Sequence, residues 1–313
     1  MFPDLGYLWR WLTGWNLHLP IPTFGCCMAL SFWAAYIVFT LEFRRKSHRR
    51  PSQEGTSSPT AAIPPGIRIS PLMDRLLLFC GLIGFAGALL LAKLDDTYGL
   101  WHHPGKWLTR YHGLTYFGGL LFGIATYLII LCRKGISLST ALDIGSPGMM
   151  LAYAIGRMGC HLAGDGDWGI VNRLPKPDWL AWMPHWFWAA RYPHNVIRQG
   201  VYIPGCHLDY CTVLPEAVFP TSLYESLVCL LLFFLLWAIR RRLTLPGLLF
   251  CIYAMLTGIE RFFVEYIRVT PKHSVFGWEL TQAQFISLAF IAVGLAGTGY
   301  ILTSSAKKAY FYL

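Results

Sequence analysis

The chain has 313 residues, of which 55% are hydrophobic and only 13% are charged, and its mean hydropathy is +0.45. These values exclude an ordinary soluble domain and indicate an integral membrane protein. The formal net charge of +10 does not indicate nucleic-acid binding, because the basic residues form short clusters at the ends of apolar segments.

Seven apolar segments follow one another along the chain, and each predicts a membrane helix. They are Phe24–Phe43, Leu72–Leu94, Leu114–Cys132, Ala141–Gly156, Phe219–Ile239, Leu245–Glu265 and Leu280–Thr303. The fourth is short for a full span, so we expect it to be tilted or to end inside the protein. The predicted fold class is an all-α polytopic membrane protein with about seven transmembrane helices.

Basic clusters predict the orientation of these helices. They follow alternate apolar segments, at Arg44–Arg50, Arg133–Lys134, Arg240–Arg242 and Lys307–Lys308. Positive charge favours the cytoplasmic side of a membrane, which places all four clusters there. The N-terminus is then predicted outside and the C-terminus in the cytoplasm.

Two long connections are predicted on opposite sides of the membrane, within a single integral membrane domain, 1–313. Pro51–Ser70 is rich in Ser, Pro and Thr and is predicted to be a flexible cytoplasmic loop. The segment 160–218 is predicted to be an external head insert. Its tryptophans suggest that it rests at the headgroup level, or that it is a small domain with an aromatic core. They are Trp168, Trp179, Trp182, Trp186 and Trp188.

The nine cysteines form no CxxC pair and show no paired histidine spacing, so we expect no zinc or other metal site. Cys206 and Cys211 share a polar loop of the head insert. They are predicted to form a disulfide if that loop faces an oxidising compartment.

The stretch GRMGCHLAGDGDWG, Gly156 to Gly169, places polar residues directly after the fourth apolar segment. A guanidinium near the outer membrane surface, as at Arg157, needs a partner or an anionic ligand. One interpretation is phosphate capture by its planar fork of donors. Gly156 and Gly159 favour this, because glycines let backbone amides approach a ligand closely. The alternative is snorkelling, or an ion pair with a buried aspartate.

The stretch TGIERFFVEYIR, Thr257 to Arg268, contains a second group of charges in the outer part of the sixth segment. Arg261 and Glu265 are spaced i,i+4, so one helical face presents a cation and a carboxylate together. The alternative is a mutually satisfied ion pair inside the bundle. Arg157 and Arg261 on the same leaflet side favour an anionic ligand between them, such as a phospholipid headgroup.

Two further stretches contain candidate site residues. In FPTSLYESL, Tyr224 and Glu225 stand near the start of the fifth segment, where they are suited to orient a substrate or a proton carrier. A tyrosine of the aromatic belt is the alternative. In HGLTYFGGLLFG, Gly118 and Gly119 predict close helix contact. His112 is a candidate base, or a loop histidine with no role.

In LDIGSPG, near the cytoplasmic end of the fourth segment, Asp143 and Pro147 are predicted to serve packing and a helix break.

These motifs together resemble the prolipoprotein diacylglyceryl transferases, a family of bacterial inner-membrane enzymes. GRMGCHLAGDGDWG is similar to the family's Gly-Arg-x-Gly signature. The other motifs follow in the family's order: Gly-Gly in the third segment, LDIGSPG, FPTSLYES, RFFVEYIR and LTQAQFISL. The resemblance covers about 24–303, and seven spans with the N-terminus outside are also the family's topology.

The resemblance implies a reaction without a cofactor. The diacylglyceryl group of phosphatidylglycerol would pass to the lipobox cysteine of a prolipoprotein, giving a thioether and glycerol 1-phosphate. The partners would be this lipid, lipobox peptides and membrane lipids, at a site facing the periplasm. Arg157 and Arg261 would hold the phosphate, Glu265 would brace Arg261, and Tyr224 would line the site. The other implied substrate-binding residues are Gly156, Gly159, Glu225, Gly118, Gly119, Arg268, Asp165 and His112.

The chain departs from the family's usual pattern in three places. Where the family has Asn and then Phe-x-Asn-Gly-Glu, this chain has Cys160 to Asp167, one residue longer. The glutamate role falls to Asp165 or Asp167, and we favour Asp167 because it directly precedes the shared Trp-Gly. Many members have a histidine, a proposed base, at the position of Phe117.

Either His161 or His112 replaces this base, or the arginines alone lower the pKa of the thiol. The third departure is the external insert, which is longer than expected for the family.

Two other functions fit the same residues. One is a non-catalytic phospholipid-binding or translocating protein, although polar residues are scarce in the inner halves of the predicted spans. The other is a lipid-modifying transferase with a different thiol or amine acceptor.

Overall fold

The computed structural model describes residues 1–15, 17, 19, 21–47, 63–64, 67–95, 101, 105, 115–275 and 278–310. Its helices are α1 (Leu5–Thr13), α2 (Thr23–Ser47), α3 (Ile69–Asp95), α4 (Tyr116–Arg133), α5 (Leu138–Ala163), α6 (His185–Trp188), α7 (Thr221–Ile239), α8 (Leu248–Val264) and α9 (Gln282–Tyr310). Two 3₁₀ turns lie at Asp178–Leu180 and Glu265–Ile267. His112 and most of the predicted loop Pro51–Ser70 lie outside the described residues.

Each of the seven predicted apolar segments corresponds to a long helix, from α2 to α5 and from α7 to α9. Four described helices are long and apolar enough to cross a membrane. These are Thr23–Ser47, Ile69–Leu94, Thr221–Ile239 and Gln282–Ser305. The fold is therefore that of a mostly helical membrane protein, while seven spans, the orientation and a membrane-bound head domain stay predictions.

Helix α5 differs from its prediction at two points. It runs over 26 residues to Ala163, so Arg157, Cys160 and His161 belong to its last turns rather than to a loop. Pro147 lies inside this helix, so the predicted helix break is wrong. An interior proline removes one backbone hydrogen bond, and the turns on both sides of it continue the helix.

Strands are a minor addition to the helical fold. Among the described residues, two antiparallel pairs form: β1 (Val201–Tyr202) with β2 (Thr212–Val213), and β3 (Lys272–Val275) with β4 (Trp278–Thr281). Val201 pairs with Val213, and Lys272 pairs with Thr281.

The chain divides into two compact units. The first contains Met1–Ala35, Ser146–Thr244 and Leu248–Leu313, and the second contains Tyr36–Gly145 and Leu245–Gly247. The division passes through helices α2 and α5, and a single domain over 1–313 stays a prediction.

The second unit has an apolar core that includes Phe43, Leu131 and Ile144. The predicted packing role of Asp143 is confirmed, because its Oδ2 accepts hydrogen bonds of 2.9 Å from Lys46 Nζ and from the backbone N–H of Gly247.

The predicted close contact at the Gly-Gly pair is also found in the second unit. A Cβ atom at Gly118 would lie 2.3 Å from the carbonyl oxygen of Gly87, and one at Gly119 would lie 3.7 Å from that of Gly84. The glycines therefore let helices α3 and α4 approach closely.

In the first unit, the insert 160–218 has an aromatic core. Trp168 is buried and stacks on Tyr192 with ring centroids 5.0 Å apart. Trp179 and Trp182, in contrast, are 74% and 75% exposed. The predicted Cys206–Cys211 disulfide is confirmed.

Candidate active site

The last turns of α5 bring Arg157 into a buried position at 9% exposure. Its Nε pairs with Glu225 and its Nη1 pairs with Asp167. Tyr153 precedes Arg157 by one helical turn and donates a 3.3 Å hydrogen bond from its hydroxyl to Oε2 of Glu225. Helix α5 thus presents a cation and a hydroxyl to the same carboxylate, because residues spaced i,i+4 share a face.

Glu225 lies in the first turns of α7 and its side chain is completely buried. Besides Arg157, its carboxylate accepts hydrogen bonds from Nη1 of Arg261 at 2.7 Å and Nη1 of Arg268 at 3.2 Å. Three guanidinium groups, one from α5 and two from the stretch Thr257 to Arg268, therefore converge on one carboxylate. The sequence named all four residues as site candidates, and the structure brings them together.

Glu265 begins the 3₁₀ turn that follows α8, and it is also buried. Its Oε2 lies 3.1 Å from Nη2 of Arg261 and 3.9 Å from Nε of Arg268. Arg261, Glu265 and Arg268 are spaced by four and three residues, which places them on one side of the chain at the end of α8. Glu265 therefore orients Arg261, in the bracing position that the sequence predicted.

Asp167 joins Arg157 to Arg268, whose Nη2 lies 2.7 Å from its Oδ1. Burial alone would raise the pKa of Asp167, but Arg157 and Arg268 outweigh that effect and hold the pKa below its ordinary value. Asp165 instead accepts a 3.2 Å hydrogen bond from the backbone N–H of Asp167. Of the two aspartates, Asp167 is the one that contacts the arginines, which agrees with the preference for it.

These contacts define an ion-pair network of three arginines and three carboxylates, formed by Arg157, Asp167, Glu225, Arg261, Glu265 and Arg268.

The loop after α5 is fixed to the neighbouring elements by backbone contacts. Gly164 and Gly166 have φ angles of +66° and +100°, which favour glycine and let the chain turn back. Gly169 then donates a 2.8 Å hydrogen bond to the carbonyl of Phe219, and Ile170 donates one of 2.9 Å to that of Ile267. The loop that carries Asp167 is therefore held against the start of α7 and the residue before Arg268.

His161 follows Arg157 by one turn of α5 and is buried. Its Nδ1 lies 3.1 Å from the hydroxyl oxygen of Tyr192. Burial raises the pKa of Tyr192, so this hydroxyl keeps its proton. The hydrogen bond forms in either tautomer of the histidine: Nδ1 accepts the hydroxyl proton, or Nδ1–H donates to the hydroxyl oxygen and leaves Nε2 free to accept a proton. A role of His161 as the base stays a prediction.

The remaining predicted site residues that the structure describes are not members of the ion-pair network. The hydroxyl of Tyr224 donates a 2.8 Å hydrogen bond to the carbonyl of Phe187. A Cβ atom at Gly159 would lie 2.7 Å from Cβ of Cys27, so Gly159 allows α2 and α5 to pack. A Cβ atom at Gly156 would lie 3.9 Å from Sδ of Met28. Gly118 and Gly119 belong to the other unit.

Cys160, Asp165 and Asp167 bring their ligand atoms within 4.8 Å of one another. A metal ion there would face the guanidinium groups of Arg157 and Arg268, which already neutralise Asp167. Since like charges repel strongly in a buried site, the residues do not fit a cation.

Two polar residues beside the network were not assigned from the sequence. Tyr153 contacts Glu225, and its i,i+4 spacing to Arg157 was the available signal. Glu260 precedes Arg261 and is 5% exposed. Only the tertiary structure shows that this glutamate is buried.

Comparisons with known proteins agree with the arrangement of these residues. A phosphatidylglycerol–prolipoprotein diacylglyceryl transferase of Gloeobacter violaceus is 29% identical over 200 residues, covering 63% of this chain and 64% of that protein. One of Geobacillus kaustophilus is 30% identical over 206 residues, covering 63% and 66%. One of Clostridium tetani is 29% identical over 213 residues, covering 68% and 74%. The match thus spans less than two thirds of the first two relatives.

The sequence pattern of one family, described as prolipoprotein diacylglyceryl transferase, matches residues 13–300. This range contains the whole ion-pair network, three of the four described membrane-length helices and most of the fourth, Gln282–Ser305. The chain therefore belongs to the prolipoprotein diacylglyceryl transferase family.

Proposed function

We propose that this chain transfers the diacylglyceryl group of phosphatidylglycerol to the lipobox cysteine of a prolipoprotein, the first step of lipoprotein maturation. The products are a thioether-linked lipid on the protein and glycerol 1-phosphate. The convergence of Arg157, Arg261 and Arg268 on Glu225 carries the proposal, together with the family to which the chain belongs.

In this reaction, the cysteine thiolate attacks the carbon of the diacylglyceryl group that is bonded to the phosphate oxygen. A carbon–sulfur bond forms, the carbon–oxygen bond breaks, and the electron pair leaves on the phosphate of glycerol 1-phosphate. Negative charge therefore grows on the phosphate as the reaction proceeds. Fixed guanidinium donors in a buried site stabilise the departing phosphate, on which this charge grows, more than they stabilise the singly charged phosphodiester of the bound lipid.

The proposed phosphate site is formed by the arginines that converge on Glu225. The two carboxylate oxygens of Glu225 receive Arg157, Arg261 and Arg268, as the oxygens of a phosphate would. Asp167 and Glu265 each hold two of these arginines from other directions. They keep the guanidinium groups oriented when a phosphate takes over part of the contacts of Glu225, so both act as positioning residues.

The attacking thiol has an ordinary pKa of about 8.5 and must lose its proton. Two groups are candidates for this step: His161 accepts the proton, or the guanidinium groups next to the thiol lower its pKa.

We place the protein in the bacterial cytoplasmic membrane with its site facing the periplasm. Four helices of membrane-spanning length support the membrane location. The Cys206–Cys211 disulfide in the insert supports an oxidising compartment on the side of the site. Phosphatidylglycerol, prolipoprotein lipobox peptides and surrounding lipids are the proposed partners, and the reaction uses no cofactor.

The purified protein in lipid nanodiscs, supplied with phosphatidylglycerol and a lipobox peptide, tests this function. Mass spectrometry should detect the thioether-linked peptide, and an equal amount of glycerol 1-phosphate should be released. Movement of labelled lipid between leaflets without release of glycerol 1-phosphate would instead show a translocating protein. Product with an amine or another thiol, but none with the lipobox cysteine, would show a different transferase.

A further inference from the structure

Glu260 is a buried carboxyl group beside the ion-pair network but not a member of it. It lies on α8 at 5% exposure, and among the described residues no cation pairs with it, while the thiol of Cys229 is its one hydrogen-bonding neighbour. Arg261 follows it directly but extends its guanidinium to Glu225 and Glu265. An ionised carboxylate in such a place is strongly disfavoured.

The charges of the network are already balanced without Glu260. Its three guanidinium groups are matched by three carboxylates, and every member makes at least two ion pairs. A fourth ionised carboxylate would leave this buried group with a net negative charge. A protonated Glu260 leaves it neutral, which is the lower-energy state for an unpaired buried acid.

The groups that face Glu260 agree with a neutral carboxyl. Those acting on it from the packed helices are Tyr153 and Arg157 on α5, Glu225 and Cys229 on α7, and Arg261 on α8. Helix α9 packs on α8 where Gly258 approaches the carbonyl of Ser287, and residues 282–299 contain no ionisable side chain. The two nearby cations, Arg157 and Arg261, are already paired with Glu225. The negative charge of Glu225 disfavours ionisation of Glu260.

We propose that Glu260 is a protonated carboxyl group that keeps the network neutral, so that the network accepts a lipid phosphate only while Glu260 holds its proton. The inference rests on the proposed function, because phosphatidylglycerol supplies that phosphate. Glu260 acts through the arginines rather than on the reacting atoms, so it is a positioning residue.

The consequence is a pH dependence that appears in lipid binding. The phosphodiester of phosphatidylglycerol brings one negative charge at neutral and alkaline pH. Once Glu260 has lost its proton, that charge enters a site that is already negative, and binding weakens. Because one proton is linked to binding, the KM for phosphatidylglycerol should rise by about tenfold for each pH unit above this ionisation.

The experiment measures the KM for phosphatidylglycerol between about pH 6 and pH 10 at saturating lipobox peptide, with kcat determined separately. Wild-type protein should show the alkaline rise in KM. Glu260→Gln, which is neutral at every pH, should remove this rise. Glu279→Gln, at an exposed position of β4, is the matched control and should retain the rise.

A KM that does not change with pH in active wild-type protein would overturn the inference, as would an equal alkaline rise in Glu260→Gln. Infrared spectroscopy of the wild-type protein gives a second measurement that needs no variant. A carbonyl stretch of a protonated carboxyl should be present at neutral pH and lost on alkalinisation, and its absence would contradict the inference. Failure of the proposed function differs, because wild type would then yield no thioether product at any pH.

Discussion

Nη1 of Arg261 lies 2.7 Å from Oε1 of Glu225, a carboxylate with no exposed surface. Arg157, on α5, and Arg268, directly after the 3₁₀ turn that follows α8, reach the same carboxylate. A carboxylate alone does not require three guanidinium partners. The arrangement is suited to a ligand with more oxygens and a growing negative charge, which is the property of a departing phosphate.

Replacement of either Arg157 or Arg261 by alanine should lower kcat/KM for diacylglyceryl transfer by about 10²- to 10³-fold, as for loss of one preorganised donor to a developing charge. Arg157→Lys should also be impaired, because lysine cannot pair with Glu225 and Asp167 through a planar fork. The measurement is the rate of thioether formation in nanodiscs. Arg173→Ala is the control, since Arg173 is 80% exposed and pairs only with Glu216 at the described surface.

Wild-type turnover in Arg157→Ala or Arg261→Ala would show that the arginines do not hold the phosphate. An equal loss in Arg173→Ala would show that the assay reports general damage to the protein.

The sequence predicted those parts of the site that depend on local spacing. Arg261 and Glu265 pair because they are four residues apart, and the apolar segments form helices because their residues favour burial. The position of Arg157 inside α5 could not be read in this way, since polar residues and glycines near Gly156 suggested a helix end. The contact between His161 and Tyr192 joins residues 31 positions apart, and only the folded chain brings them together.

Acidification should destabilise the protein through Asp167. Arg157 and Arg268 lower the pKa of Asp167 in the folded state, so the unfolded chain takes up its proton first as the pH falls. The contribution to stability is complete above the unfolded pKa of about 3.9 and is lost as the pH falls through the lower folded value. Unfolding midpoints measured from about pH 2 to pH 7 should therefore fall more in wild type than in Asp167→Asn.

Asp178→Asn is the control for this comparison, because Asp178 lies at an exposed position of the insert. It should follow the wild-type pH dependence. The same acid-induced loss in Asp167→Asn as in wild type would show that Asp167 is not the group responsible.

The Cys206–Cys211 disulfide should protect both thiols from a membrane-impermeant maleimide added from the outer side until a reductant is supplied. Removing the cross-link by Cys206→Ser should cost roughly 2 kcal/mol of stability, as for closure of a short loop.

Cys132 is a free, exposed thiol next to the basic pair Arg133–Lys134, so the maleimide should react with it only from the cytoplasmic side. Labelling of Cys132 from outside would reverse the predicted orientation.

Substitution by alanine at two glycines near the network, Gly169 and Gly156, should change the stability of the protein in opposite directions. At Gly169 a Cβ atom would lie 2.3 Å from the carbonyl oxygen of Ile267 and 2.8 Å from Cγ2 of Thr221. The backbone next to Arg268 must then shift, so Gly169→Ala should cost about 1–3 kcal/mol of stability and lower transfer activity by more than about tenfold. Full activity in Gly169→Ala would show that this backbone contact does not position Arg268.

At Gly156 a Cβ atom would meet Sδ of Met28 at 3.9 Å, an ordinary van der Waals contact. Because alanine favours a helix over glycine by about 1 kcal/mol, Gly156→Ala should be at least as stable as wild type. Its activity therefore reports on substrate contact alone. If Gly156 contacts the lipid as the sequence predicts, Gly156→Ala should raise the KM for phosphatidylglycerol with an unchanged unfolding midpoint. An unchanged KM in a stable Gly156→Ala protein would remove Gly156 from the predicted substrate-binding residues.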